Sequence, residues 1–342
     1  MNTRIAGERI PLNTFAIGFG LAGLAETWSV LGADLGWPWL YGQVLWIVAG
    51  IAWIWLIVAH TARGLRTDRR LVDQLRHPAQ GPIAALVPVT GMLLGADLYD
   101  VLPAAGLVLV VLSTIASLVF GGWMIATWFE GRLELAAVHG GYLLPTVAAG
   151  LVGADTCMHV GLAAAAWLML GIGVFFWAVM TTLLVLRLTV SPVLPDPLVP
   201  TMMILLAPPV VGGIAWFALA GHEASPVALS IAGLTILTVI MQITLIGRYR
   251  RLRFSLGFWS FTFPIAAFGV YTTMWLALLR FPGWQGVATV LAALISLFIL
   301  AIAVRSLALI PRSRSAAAAE EALNHADDAD ARGQTRTLQR QE

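Results

Sequence analysis

The sequence contains no lysine: all 20 of its basic residues are arginine. A Walker-type phosphate loop, a pyridoxal Schiff base and a retinal Schiff base each need a lysine amine, so these chemistries are excluded. Cysteine is almost as scarce. The single Cys157 can close no internal disulfide and can build no iron–sulfur cluster or multi-cysteine metal site. Charge is thin as well: 11% of the 342 residues are charged and the formal net charge is +2, too little to hold a nucleic-acid backbone. What is present is apolar. Hydrophobic residues make up 59% of the chain and mean hydropathy is +0.85, which excludes an ordinary soluble domain and predicts an all-α integral membrane protein.

Crossing a hydrocarbon core of about 30 Å takes roughly 20 apolar residues as a helix. Ten runs of this kind lie near 11–31, 40–60, 82–96, 104–128, 141–156, 159–186, 200–220, 227–247, 257–279 and 285–306, the third and fifth being short. The first run has no small-residue cleavage pattern, so no cleavable signal is expected. In a ten-span reading Arg4, Arg9, the cluster from Arg63 to Arg76, Arg132, Arg187, the group from Arg248 to Arg253 and all C-terminal arginines fall on one side, and only Arg280 on the other. Basic loops stay cytoplasmic, which predicts both termini inside and Trp28, Trp37, Trp39 and Trp284 in the outer interfacial belt. The division expected is a cytoplasmic N-terminus (1–10), a transmembrane domain (11–306) and a cytoplasmic tail (307–342). The tail is rich in Ala, charge and Gln and lacks the apolar area for a core, so it reads as disordered, with a helical turn or two around 316–323.

Proline alternates along this series. Pro88 lies in the third span, Pro145 in the fifth, Pro208 and Pro209 in the seventh and Pro264 in the ninth, whereas the even-numbered runs contain none. The first span carries Gly18 and Gly20 where a kink would fall. Packing could absorb any one of these prolines, but the alternation predicts five helical hairpins, each of one bent and one straight helix, with the bent helices on a common axis. Carbonyls freed by proline are tolerated at membrane depth where they line a cavity or are buried in protein. The bent spans are also rich in Gly and Ala, which serves either close helix packing or a pore.

Five segments in order, FAIGFGLAGLAETW (15–28), IAALVPVTGMLLG (83–95), HGGYLLPTVAAG (139–150), TMMILLAPP (201–209) and GFWSFTFPIAA (257–267), resemble the tellurite-resistance and dicarboxylate transporter family, which includes bacterial TehA proteins and the plant slow anion channels. The resemblance spans nearly the whole membrane portion and not the tail. It implies a ten-helix bundle whose inner helices surround a central pore, assembled as a homotrimer in a bacterial-type inner membrane. It also implies that a phenylalanine on the ninth helix plugs the pore, and Phe261, Thr262, Phe263 and Pro264 place that plug at Phe263. One departure is Gly18, where many relatives carry proline.

A ring in a narrow apolar bore excludes water and blocks ions until it swings aside. No arginine ring lines the bent-helix centres, so small inorganic or carboxylate anions would depend on helix-end and backbone dipoles, favouring anions that dehydrate easily. The expected function is a gated channel for monovalent anions such as chloride or nitrate. The alternative is a proton-coupled C4-dicarboxylate (malate) carrier or a tellurite- or sulfite-type oxyanion exporter, which needs a titratable group near the midplane. Glu26 is the clearest intramembrane carboxylate and reads as a vestibule residue. Asp34, Asp97, Asp100, Asp155 and Glu223 make the outer end acidic, and Arg248 and its neighbours read as headgroup anchors. His60, His139, His159 and His222 sit near span ends without metal-ligand spacing. No cofactor or metal is expected, and without a convergent cluster of His, Asp or Glu no enzyme is expected either.

Overall fold

The computed structural model describes residues 9–68 and 70–309. Arg4, Arg69, the expected turns around 316–323 and almost all of the tail lie outside them. Every regular element among the described residues is helical, and nine stretches are long and apolar enough to cross a membrane. Residues up to Ile299 form one contact unit; the described residues beyond it complete the last helix and end in a turn.

The principal helices are α1 (Ala16–Leu35), α2 (Leu40–Gly64), the short α3 (Leu71–Leu75), α4 (Leu86–Val101), α5 (Pro103–Thr127), α6 (Ala149–His159), α7 (Ala163–Val190), α8 (Ala207–Ala220), α9 (Pro226–Tyr249), α10 (Thr262–Leu279) and α11 (Trp284–Leu307). The run expected at 141–156 is not among the nine long stretches. It is divided into a 3₁₀ turn (Gly140–Leu143), a π turn (Leu144–Ala148) and α6, each too short alone.

The proline-bearing spans share one construction. Each begins with a 3₁₀ segment and then changes to a wider helix: Leu12–Phe15 before α1, Gly81–Ala85 before α4, Gly140–Leu143 before the π turn and α6, Asp196–Leu206 before α8, and Leu256–Phe261 before α10. Pro88, Pro145, Pro208, Pro209 and Pro264 stand near the changeover. Pro88 and Pro264 are third residues of α4 and α10, Pro208 and Pro209 are second and third in α8, and Pro145 is second in the π turn. Within the whole spans, Gly81–Val101, Asp196–Ala220 and Leu256–Leu279, Pro88, Pro208, Pro209 and Pro264 are interior. Proline has no N–H to return to the preceding 3₁₀ turn, so the tight ladder gives way to the wider helix there. Gly18 is the third residue of α1, the same position.

Burial separates two classes. The four long 3₁₀-led spans bury 61–72% of their most apolar window, against 11–33% for the five straight ones. The straight helices therefore form an outer layer whose apolar side chains, such as Ile51, Val119, Leu168 and Ile236, stand exposed, as lipid-facing residues do. The inner helices form a closed ring, α1 on α4, α4 on α6, α6 on α8, α8 on α10 and α10 on α1. Each of the first four is packed on the straight helix that follows it. On the fifth pair, Trp284 is buried with Leu276 and Ala288, so it is not at the surface with Trp37 and Trp39, which are exposed.

Glycine sets the spacing. A methyl on Gly20 would overlap the Thr262 side chain, and one on Gly150 would overlap the backbone of Gly173. Close backbone approach is what small residues provide where no water drives helices together.

Candidate functional site

The five inner spans converge on two cavities, one above the other along the same helices. The first, about 50 Å³, is lined by the first span at Asn13, Ala16 and Phe19, by Ile83 and Leu86, by Leu144, Val147 and Leu151, by Ile204, Ala207 and Val211, and by Phe263. Moving on by one or two turns, the same helices line the second, about 440 Å³, at Glu26, Leu93, Asp97, Asp155, Ile214 and Val270. We call them the chamber and the vestibule.

The chamber lies toward the arginine-rich end. Its lining is apolar apart from Asn13, Thr201 and Ser260. Thr201 spends its hydroxyl proton on the Leu198 carbonyl at 2.6 Å, whereas the buried Oδ1 of Asn13 has no partner. A space of this size admits only a few waters and offers them little to bond to.

Phe263 borders the chamber. It is 4% exposed and stacks on Phe19, with ring centroids 3.6 Å apart and planes 17° from parallel. A methyl on Gly23 would lie 3.0 Å from the Phe263 ring, so glycine there makes room for it. The backbone under the ring is tied down: Thr27 donates to the carbonyls of Gly23 and Ala266 at 2.9 and 3.2 Å, and Thr262 donates to that of Trp259 at 2.7 Å. Phe19 was not anticipated. Its signal lay in the GFG of the first span, one turn from the start of α1, but nothing in sequence says two rings 244 positions apart will stack.

Of the kink and lining candidates, Pro208 and Pro264 border the chamber, and Gly18, Gly20, Pro88, Pro145 and Pro209 do not. A methyl on Gly18 would meet Trp53 of α2, and one on Gly20 would meet Thr262, so these glycines serve packing. Glu26 stands half-buried in the vestibule wall with Asp155 opposite it in charge interaction. At the rim His159 pairs with Asp100 at 2.9 Å, and Gln43 donates to Asp97 at 3.0 Å. The remaining histidines are bonded singly: His60 to Gln74, His222 to the Met274 carbonyl. No group of three metal-ligating side chains occurs among the described residues.

At the arginine-rich end the loops are pinned by cations on carbonyls. Arg187, 2% exposed, donates to Pro192 and Ala136 at 2.9 Å each, Arg248 to Leu194 at 3.2 Å and Arg9 to Gly64 at 3.2 Å. Arg248 is thus engaged with the protein's own backbone, where a free headgroup anchor was expected. His139, fully buried, accepts from the Gly141 N–H at 3.1 Å. Burial pushes its imidazole down to about 4, against the pull of the Pro78 and Ala79 backbone, with Arg187 adding to the depression.

Residues 9–307 match the family described as voltage-dependent anion channel, SLAC1. The chain is 27% identical over 259 residues to the tellurite resistance protein TehA homolog of Haemophilus influenzae, covering 75% of this chain and 79% of that protein. It is 26% identical over 191 residues to the S-type anion channel SLAH3 of Arabidopsis thaliana, covering 55% of this chain and 29% of the plant protein. A ring of five inner helices around an axial path, set in a lipid-facing outer layer, is an arrangement for passing a solute, and the match over almost the whole of that arrangement makes the chain a multi-pass membrane protein of the SLAC1 voltage-dependent anion channel family.

Proposed function

We propose that this protein is a gated channel for small monovalent anions such as chloride or nitrate, with Phe263 as the gate. The observation that carries the reading is the Phe19–Phe263 stack, two rings that both line the apolar chamber. An apolar constriction of this kind holds no continuous water, so ions cross only when the ring turns away. The arginine-rich end faces the cytoplasm, as the charge bias of the loops directs, and the acidic vestibule faces out. The protein works in a bacterial inner membrane as a homotrimer with one pore per subunit, the tail at 307–342 and the N-terminus being cytoplasmic. It is not an enzyme and needs no cofactor.

The test is anion current in planar bilayers for the wild type and Phe263→Ala in chloride, nitrate and malate. The reading requires a large gain in the variant with nitrate above chloride. Two reconstituted proteins silent in every anion would sink it.

A second reading is a proton-coupled carrier of C4-dicarboxylates or of tellurite- or sulfite-type oxyanions. The observation favouring it is the pair Glu26 and Asp155, two carboxylates on different helices facing one cavity along the path. Vesicle uptake driven by a proton gradient, and lost in Glu26→Gln, is its required result.

A further inference from the structure

A third cavity, about 200 Å³, lies away from the axial path, in a cleft between α5 and α7 with the π turn and the start of α6 as its floor. Its walls are apolar, with Leu118, Met169, Ile172 and Phe176 among them. Two polar atoms break that pattern. Ser117 and Thr146, 2% and 3% exposed, both belong to this lining, and the buried hydroxyl of each has no hydrogen-bond partner.

These two depart from a habit of the molecule. Hydroxyls inside its helices return to the carbonyl one turn back, as Thr90 does to Leu86, Thr156 to Val152, Thr182 to Ala178 and Thr235 to Ile231. Ser117 lies about 21 Å along α5 at the ordinary helical rise of about 1.5 Å per residue, so bulk water is remote. An unpaired hydroxyl at that depth is unfavourable, and a ligand able to bond to it recovers part of that cost.

We propose that this cleft is a binding site for a small amphiphile with one hydroxyl head and an apolar body, of the class of a medium-chain alcohol. Ser117 and Thr146 bond the head, and the cleft walls hold the chain. The exposed neighbours Leu118 and Gly122 leave it open on the lipid side. The site is one helix away from the chamber: Pro145, Thr146, Ala149 and Gly150 face the cleft, while Leu144, Val147, Ala148 and Leu151 on the same segment face the chamber. An occupant therefore presses on the back of a chamber wall, at the one inner span broken by a π turn.

The experiment uses the full chain in lipid nanodiscs, photolabelled with a diazirine-bearing octanol and mapped by peptide mass spectrometry. Adducts are expected to concentrate at 117–125, 145–150 and 169–176. Octanol should displace the label at about tenfold lower concentration than octane, the factor that about 1.4 kcal/mol of hydrogen bonding carries. The double variant Ser117→Ala, Thr146→Val should erase that difference. Gly122→Phe, whose added side chain starts in open space, should block labelling while unfolding at the wild-type temperature. Labelling spread evenly over the outer helices, equal displacement by octane and octanol, or an unlabelled cleft in the assembled protein each overturns the proposal.

Discussion

The two ends of the axial path are built from the same five helices yet differ in every physical property. The chamber is about 50 Å³, apolar and bordered by the stacked rings of Phe19 and Phe263, whereas the vestibule is about 440 Å³ and lined by Glu26, Asp97, Asp100 and Asp155. The contrast follows from how each helix begins. At the arginine-rich end the inner spans start as tight 3₁₀ segments whose side chains point into little space, and loops clamped by Arg187 and His139 hold them in place. At the other end they continue as ordinary α-helices with carboxylates on the inner face. A barrier and a charged antechamber can thus be placed in series without any change of fold.

The sharpest way to break this contrast is to loosen the clamped end. His139 has its pKa depressed from 6.5 to about 4 by burial, so the unfolded chain binds its proton first. Stability from the neutral ring is complete above pH 6.5 and falls progressively as pH drops toward 4, by about 3 kcal/mol in total. Thermal unfolding in detergent from pH 7.5 to 4.5 should show that loss, and His139→Asn, which keeps an acceptor for Gly141, should flatten it. A profile of equal slope in the variant would remove His139 from the account.

Next in size is the gate itself. Phe263→Ala should raise anion current by about tenfold or more, the factor that about 1.4 kcal/mol of barrier represents. Phe19→Ala leaves the gate ring in place but takes away its stacking partner, worth about 0.5–1.5 kcal/mol, and should raise current by only about threefold. If Phe19→Ala matched Phe263→Ala, the two rings would form one gate and the vestibule would begin at Phe19.

The smallest effect belongs to the charged end. Asp100→Asn removes one exposed rim carboxylate and should raise inward anion flux by about twofold at low salt, vanishing near 1 M salt where the Debye length is about 3 Å. A change that survives high salt would mean that Asp100 acts by shape and not by charge.

Much of the architecture was legible before any coordinates. Proline alternation separated the inner spans from the outer ones, because a missing N–H is tolerated only at a helix start or in buried backbone, and lipid-facing helices offer neither. Nine of the ten apolar runs coincide with stretches long enough to cross a membrane among the described residues. The fifth was blurred because three kinds of turn divide it, and run-length reading assumes one.

The partners of the site residues were less accessible. Phe19 with Phe263, Glu26 with Asp155 and Ser117 with Thr146 join residues far apart in sequence, and covalent order carries no record of such pairs. Arg187 read as one more basic loop residue, whereas its burial makes it a clamp. The sequence by itself determined that the chain lives in lipid, which spans bend and which end is basic, since these depend on transfer free energy and backbone chemistry summed over local windows. Tertiary structure alone decided that the inner helices close into a ring, that one phenylalanine meets another across it, and that the same helices enclose an apolar chamber at one end and an acidic vestibule at the other, because those properties arise from the distance between helices.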